Sequence, residues 1–406
     1  MRPFQGDVCL LVGRLAAIFD ATRSRRCVAA VLCCTLVIAT TAAGPLRYQC
    51  GDTPAEPRWA QPGPYRSPDW SDFSLSTFRS DQPIVGTYFF YWFDADTLRA
   101  SGEQFPFTPV DEQTQSFFSP AWYEKQFGDM LDAGIDFVLP DYWGEPGQYN
   151  RRVAPAPDRN LFATEGIPPM VEALQHLEQA GKSLKIGLFL DTSILNDADL
   201  TTESEKQIFY ATIRDYFSRI PPRYWAAIDG RPIVFLYDAQ RVSAFDQSTF
   251  DYVYARFAED FGGLQPWIVR EWQWYTAKNT GSNEVLRTAG LYNWGAAAFG
   301  FNPDTRFTVA EVGPGFTSFD EQGPDAVDTP RRAGAYYEEN LRLAVASGRK
   351  IMAIETWNEL DEGTGILETR EFGRQYIELT RRYADLFKRG DQAGSAGASS
   401  KNRSSG

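Results

Sequence analysis

The chain has 406 residues, of which 43% are hydrophobic and 23% charged, a composition that excludes a mainly disordered, collagen-like or polytopic membrane protein. Its net charge of −13 repels phosphate backbones, so nucleic acid is not an expected partner. His176 is the only histidine, which argues against most zinc sites and against Ser-His-Asp or Cys-His catalysis, since these need imidazole.

The N-terminal segment has the pattern of a secretory signal peptide. Arg23, Arg25 and Arg26 precede an uncharged apolar run over residues 27–39, and small residues follow up to Gly44. This order predicts export, with cleavage near Ala43 that removes residues 1–43. We expect a secreted, cell-surface or periplasmic protein, which would contact a membrane only if this segment stayed uncleaved.

The rest of the chain divides into three parts. Residues 44–82 hold six prolines and little periodicity, which predicts a linker. Residues 83–389 carry the folded domain, and residues 390–406 form a Gly/Ser-rich tail that we expect to be disordered. Cys50 is the one cysteine left after cleavage, so no intrachain disulfide is expected.

Apolar strands alternate with capped amphipathic helices through the folded domain. Ser119-Pro120 and Thr329-Pro330 each predict a helix start, and Gly134 and Gly348 predict the corresponding ends. Buried strands are predicted at 84–90, 135–139, 184–190, 232–236, 267–269, near 291, and at 307–310 and 350–354. Eight such units favour an α/β fold of the (β/α)8 TIM-barrel class.

Carboxylates and aromatic rings follow these strands, at the end where such barrels carry their sites. Rings pack on sugar faces, while carboxylates bind hydroxyls or move protons, so this composition suits carbohydrate. The alternative is that the acids only cap helices and the rings only fill the barrel mouth. No metal-ligand spacing or cofactor loop is present, so we expect neither. The candidate substrate-binding residues are Tyr91, Trp92, Asp94, Asp141, Trp143, Asp191, Tyr237, Asp238, Glu271, Trp272, Trp294, Glu311, Trp357 and Asn358.

Two glutamates after the eighth strand are the candidate catalytic pair. Glu359 and Glu362 are three residues apart in the run Trp357 to Ile366, a spacing that brings side chains to one face of a helical turn. Carboxyls so close can hold different protonation states, so that one donates a proton while the other accepts one.

The run from Trp357 to Ile366 resembles the Trp/Tyr-Asn-Glu-Trp-His-Glu-Gly-Thr motif of glycoside hydrolase family ninety-nine, the endo-α-1,2-mannosidases, and of related secreted proteins of unknown function. Residues 85–94, 133–143 and 230–238 are similar to three further stretches of that family, in the same order. The resemblance implies hydrolysis with retention through a 1,2-anhydro sugar. Glu359 would be the base for the substrate's 2-hydroxyl, and Glu362 the acid and then base. Leu360 and Asp361 replace the family's Trp and His.

Two other functions are compatible with these residues. One is a carbohydrate-binding barrel without turnover, which the changes at Leu360 and Asp361 allow. The other is a glycosidase of the large two-Glu retaining clan, with Glu311 as nucleophile after the seventh strand. In that clan an Asn-Glu acid follows strand four, where this chain has Asp238 instead.

Overall fold

The computed structural model describes residues 78–96, 104–144, 161–195, 197–319 and 326–390. The predicted signal peptide, the linker up to residue 77 and the tail beyond residue 390 lie outside the described residues. Within the described residues, no helix is long and apolar enough to cross a membrane.

Eight parallel strands form the centre of the described domain. Each strand from β1 to β6 pairs with the next, β7 pairs with β8, and β8 pairs with β1, which gives the spatial order β6-β5-β4-β3-β2-β1-β8-β7. The prediction of a (β/α)8 barrel is confirmed. The strands are β1 (Ile84–Phe89), β2 (Phe137–Tyr142), β3 (Leu188–Leu190), β4 (Arg231–Leu236), β5 (Trp267–Glu271), β6 (Gly290–Tyr292), β7 (Val309–Val312) and β8 (Ile351–Ile354).

The barrel closes between β6 and β7 by a much lighter contact than elsewhere. The Thr308 N–H donates to Leu291 O at 2.9 Å, and Thr308 Oγ1 accepts from Leu291 N–H at 3.1 Å. Gly290 permits this approach, because a Cβ there would lie 2.6 Å from Thr308 Oγ1.

Helices cover the outside of the strands. They are α1 (Pro120–Asp132), α2 (Leu161–Glu165), α3 (Ile167–Gln179), α4 (Glu203–Arg219), α5 (Gln247–Asp260), α6 (Ala296–Phe299), α7 (Ala335–Ala346) and α8 (Gln375–Arg389). Short 3-10 helices span Thr192–Leu195, Pro222–Tyr224, Trp272–Trp274 and Arg332–Gly334. Four shorter strand pieces also occur: Lys185–Ile186 beside β2, Ala227–Ile228 antiparallel to β4, and Ala198–Asp199 paired with Val242–Ala244.

One of the two predicted helix starts is confirmed. Ser119 caps α1, and its side chain accepts the Trp122 N–H. The start at Thr329 is wrong, because Thr329 is extended and exchanges two backbone hydrogen bonds with Phe316 at 2.7 and 3.0 Å. The helix α7 begins later, after Gly334, whose φ of 93° suits glycine.

Aromatic rings fill the barrel interior. Tyr88 of β1 lies 4.6 Å from the Phe189 ring of β3, and the Phe235 and Tyr292 rings are 5.3 Å apart. These four rings come from β1, β3, β4 and β6, so much of the high aromatic content serves the core. Phe78 contacts the barrel before β1 begins, beside the short strand Ala227–Ile228: its N–H donates to Ala227 O at 2.8 Å.

Candidate active site

The loop after β8 forms a closed turn that carries both candidate catalytic residues. The Gly363 N–H donates to Leu360 O, and the Thr364 N–H donates to Glu359 O, each at 3.2 Å. The Glu359 N–H also donates to Thr356 Oγ1 at 2.7 Å. The residues therefore form a hydrogen-bonded turn, not the helix that their spacing suggested, and the turn keeps both carboxyls at the carboxyl end of the barrel.

Arg331, which was not predicted from the sequence as a site residue, holds this turn in place. It is buried, and its Nη2 donates to Gly363 O at 2.7 Å and to Gly365 O at 2.6 Å. Its guanidinium lies 4.6 Å from the Phe107 ring and 4.5 Å from the Tyr376 ring. The turn is thus held by a cation that binds main-chain carbonyls and leaves the glutamate side chains unpaired with it.

Asn358 fixes the same loop to the end of β1. Its Oδ1 accepts the Phe90 N–H at 2.8 Å, and its Nδ2 donates to Phe90 O at 2.7 Å. Asn358 is fully buried, so the structure places this predicted substrate-binding residue in the scaffold of the site.

Glu359 lies in a buried, negatively charged environment. Its Oε1 accepts the Asp361 N–H at 3.2 Å. Burial raises its pKa well above the ordinary value, and the charges of Asp361, Glu362 and Asp141 add to that rise. Glu359 therefore holds a proton more tightly than an exposed glutamate does, which makes its ionised form a stronger base.

Glu362 is half-buried and lies on the β7 side of the mouth. Its backbone oxygen accepts the Thr317 N–H at 3.0 Å. The charge of Glu362 raises the pKa values of Tyr237 and Glu355, so these groups lie within its electrostatic reach. The two members of the pair thus have different neighbours, as separate acid and base roles require.

Glu355, at the end of β8, is a site residue that the sequence analysis did not propose. Both of its carboxyl oxygens accept the Gly295 N–H at 3.0 Å, and Oε2 accepts the Ala297 N–H at 3.2 Å. Burial is the main reason that its pKa is raised to about 8. The sequence signal that could have identified Glu355 is its position directly after the apolar strand β8.

Glu311 lies within β7, one residue before its end, and is buried. The charge of Glu355 adds to burial in raising the pKa of Glu311 well above its usual range. The Tyr88 hydroxyl donates to Glu311 Oε1 at 2.8 Å. Oε2 is buried and has no hydrogen-bond partner among the described residues.

Asp141, at the end of β2, lies on the other side of Glu359. Its Oδ2 accepts the Trp143 Nε1–H at 2.8 Å. Its Oδ1 is buried without a hydrogen-bond partner in the described part of the chain. Burial and the charge of Asp191 raise the pKa of Asp141 well above its ordinary value.

Three predicted acids also accept local hydrogen bonds from backbone N–H groups. Asp191 accepts the Ser193 N–H at 2.9 Å, Asp238 accepts the Gln240 N–H at 2.6 Å, and Glu271 accepts the Gln273 N–H at 2.7 Å. Burial raises the pKa of Asp238 to about 6 and that of Glu271 well above its usual range. Glu271 therefore caps the 3-10 helix Trp272–Trp274, and Asp191 binds the first turn of the 3-10 helix Thr192–Leu195. Asp238 binds a turn that leads into the strand Val242–Ala244, so it caps no helix.

Five predicted aromatic residues keep accessible surface near the mouth. Trp92 and Trp143 form an edge-on pair with centroids 5.6 Å apart, and Tyr237 and Trp294 form a second pair at 5.1 Å. Trp272 is 38% exposed. Half-buried rings of this kind can pack on a sugar.

Three other predicted residues make contacts inside the protein. The Tyr91 hydroxyl donates to Ala163 O at 3.0 Å, and the Trp357 indole donates to Gln126 Oε1 at 2.7 Å. Asp94 accepts from the Ser116 hydroxyl at 2.7 Å and joins two loops. These side chains are therefore engaged by groups of the protein, and the Tyr91 phenol also lies within electrostatic reach of Asp141.

Other possible sites are sparse. Within the described residues, no group of three or more His, Cys, Asp and Glu side chains could hold a metal ion. His176 is exposed and contacts Glu124 Oε1 at 2.6 Å. A cavity of about 530 Å³ opens at the amino-terminal end of the barrel, lined by Trp267, Phe301 and Lys350 among others, and contains none of the predicted site residues.

The described domain is a (β/α)8 barrel with a group of carboxyls and aromatic rings at the carboxyl end of its strands. The similarity to solved structures agrees with that class. A GH99 endo-alpha-mannosidase from Bacteroides thetaiotaomicron is 16% identical, covers 77% of this chain and 99% of its own, and has a TM-score of 0.55. A glycoside hydrolase-like protein is 15% identical, covers 75% of this chain and 95% of its own, and has a TM-score of 0.56.

The chain belongs to the family described as Domain of unknown function (DUF5010), whose model matches residues 80–393. No curated protein matches the sequence significantly. The resemblance drawn from the motif, both to the endo-α-mannosidase family and to a domain family of unknown function, is confirmed.

Proposed function

We propose that this protein is an exported glycoside hydrolase that cleaves α-linked, mannan-like polysaccharide or glycan internally and with retention. The observation that carries the proposal is the placement of Glu359 and Glu362 on one fixed turn, in different environments, at the end of the barrel where such folds carry catalysis.

The two carboxyls divide the chemistry. Glu359 removes the proton of the substrate's 2-hydroxyl, and the oxygen attacks the anomeric carbon to form a 1,2-anhydro sugar. Glu362 gives its proton to the departing glycosidic oxygen, then takes a proton from the water that attacks the same carbon. The 2-oxygen regains its proton from Glu359 as that ring opens. Two inversions at the anomeric carbon give net retention.

The raised pKa of Glu359 supports the base role. A 2-hydroxyl is a weak acid, and a buried carboxylate among like charges accepts a proton more readily than an exposed one. Around this pair, the Trp92–Trp143 and Tyr237–Trp294 pairs offer rings for successive sugars.

The direct test is hydrolysis by the purified full-length protein. We would screen α-linked mannans and glucans and follow the first anomer formed by NMR, with the α-anomer expected. Glu359→Gln and Glu362→Gln should each lower the rate by about 10² to 10⁴, because general acid–base catalysis contributes about that much. Glu368→Gln, which removes a more distant carboxyl near Lys125, is the matched control.

Leaving-group dependence separates the two roles. Glu362→Gln should recover partly on an aryl glycoside whose leaving group needs no proton, whereas Glu359→Gln should not. Wild-type rates for both variants would contradict the assignment, and so would losses explained by unfolding.

A carbohydrate-binding barrel without turnover is the second candidate. The observation that favours it is Asp361, a buried acid beside Glu359 where the resembling family has His. Glycan binding by wild-type protein with no hydrolysis of any screened substrate would support it. If Glu311→Gln alone abolished hydrolysis, the two-Glu clan mechanism would replace ours.

Export is tested separately. Mass spectrometry of protein from the culture medium or periplasm should find an N-terminus near Gly44, and a full-length cytoplasmic chain would contradict export.

A further inference from the structure

The Asp141 carboxyl has one oxygen that is satisfied and one that is not. The Trp143 Nε1–H faces Oδ2 at 2.8 Å, and because an indole N–H can only donate, Oδ2 must be an acceptor. Oδ1 is buried and has no hydrogen-bond partner among the described residues, and Asp141 is 1% exposed.

Among the described residues, the hydrogen bond from Trp143 is the one contact that favours an ionised Asp141. Asp191 at the end of β3 and Glu359 in the turn after β8 are both acids, and the remaining titratable neighbour is the Tyr91 phenol. Within the described part of the chain, no cation acts on Asp141. A buried carboxylate without a cation or a full set of donors is expensive, so the carboxyl keeps its proton instead.

The proton must then lie on Oδ1, since Oδ2 faces a donor. A buried hydroxyl that no described residue satisfies is placed to pair with an oxygen of a ligand. Asp141 at the end of β2 and Glu359 after β8 lie at the same end of the barrel and within electrostatic reach of each other, so this donor faces the region in which Glu359 would act.

We propose that Asp141 works as a neutral carboxylic acid and that its Oδ1 hydroxyl donates a hydrogen bond to an oxygen of the bound sugar, next to the hydroxyl that Glu359 activates. This inference rests on the proposed function for the identity of the ligand. It makes Asp141 a substrate-positioning donor rather than a carboxylate that accepts from sugar hydroxyls.

Asparagine reproduces the proposed state. In Asp141→Asn, the amide oxygen keeps the Trp143 contact and the NH2 group replaces the Oδ1 hydroxyl as donor. We expect kcat/KM within about 3-fold of wild type for Asp141→Asn and a loss of about 10- to 100-fold for Asp141→Ala, which leaves the sugar oxygen unpaired. An Asn variant as impaired as the Ala variant would overturn the proposal, because an acceptor would then be what the substrate needs.

Stability against pH tests the proton without any substrate. In wild type, a neutral Asp141 favours folding below its unfolded pKa, and this contribution is lost as pH rises toward its raised folded pKa. The urea midpoint of Asp141→Asn should therefore rise relative to wild type between pH 4 and pH 8.

A constant difference between wild type and Asp141→Asn across this pH range would refute the neutral acid even if the protein hydrolyses glycans. Conversely, the expected trend in a protein that hydrolyses nothing would sustain the neutral acid while the proposed function fails.

Discussion

Replacing Arg331 by methionine tests whether the catalytic turn depends on a buried cation. Methionine keeps a long flexible chain among the Phe107, Phe372 and Tyr376 rings but removes both hydrogen bonds to the turn. The carbonyls of Gly363 and Gly365 would remain buried without these donors.

The size of the effect follows from opposing contributions. Hydrogen bonds from a charged donor contribute roughly 1.5–3 kcal/mol each, and cation–π contacts at a desolvated site add about 1–2 kcal/mol. Burial of the guanidinium opposes both, and it lowers the pKa of Arg331. We expect a net loss of about 2–5 kcal/mol in the free energy of unfolding, because two carbonyls lose their partner together.

Urea denaturation and hydrolysis kinetics check this expectation together. Gly363 directly follows Glu362, so a looser turn should lower kcat at temperatures where the variant is still folded. Arg332→Met is the matched control, since Arg332 is the next residue, is exposed and pairs with Glu339 at 3.1 Å; we expect it within about 0.5 kcal/mol of wild type. An Arg331→Met protein as stable and as active as this control would refute the reasoning.

Asn358→Ala should lower the free energy of unfolding by about 2–4 kcal/mol in urea denaturation, because the buried N–H and C=O of Phe90 both lose their partner. A change below about 0.5 kcal/mol in the free energy of unfolding would show that the hydrogen bonds between Asn358 and Phe90 contribute little to stability. The wild-type protein should lose stability as pH rises from 5 to 8, since burial raises the folded pKa of Glu355 to about 8 and that of Asp238 to about 6, so protonation of these carboxyls favours the folded state. In Glu355→Gln, the melting temperature should fall less steeply between pH 5 and pH 8 than in wild type. The same dependence of melting temperature on pH in both proteins would contradict a raised pKa of Glu355.

The features that local sequence determines were predictable. Ser119-Pro120 and Gly134 bound α1 because caps act on backbone groups within a few residues. The apolar runs located the strands, and the run after the eighth strand located the turn with Glu359 and Glu362. Thr329-Pro330 has the same local pattern as Ser119-Pro120, but pairing with Phe316 takes precedence there.

Contacts between distant residues escaped prediction. Glu355 binds amides 58 and 60 residues away along the chain, and Arg331 binds carbonyls 32 and 34 residues away. Nothing in their local sequence specifies these partners. The orientation of rings was equally hidden: Tyr91 and Trp92 are adjacent, yet the first is buried against Ala163 O and the second reaches the mouth.

Between β6 and β7 the barrel is held by fewer backbone hydrogen bonds than between its other neighbouring strands. The edges formed by β6 and β7 are joined by the hydrogen bonds between Thr308 and Leu291. Two side chains reinforce this side of the barrel: Glu355 links the end of β8 to Gly295 beyond β6, and Arg349 binds Val309 O of β7 and Asn302 O before it. A polymer pressing between Trp294 and Glu311 would separate the Thr308–Leu291 contact rather than a continuous ladder. The contact between β6 and β7 is therefore the place where the fewest backbone hydrogen bonds would have to break for the acidic mouth to widen.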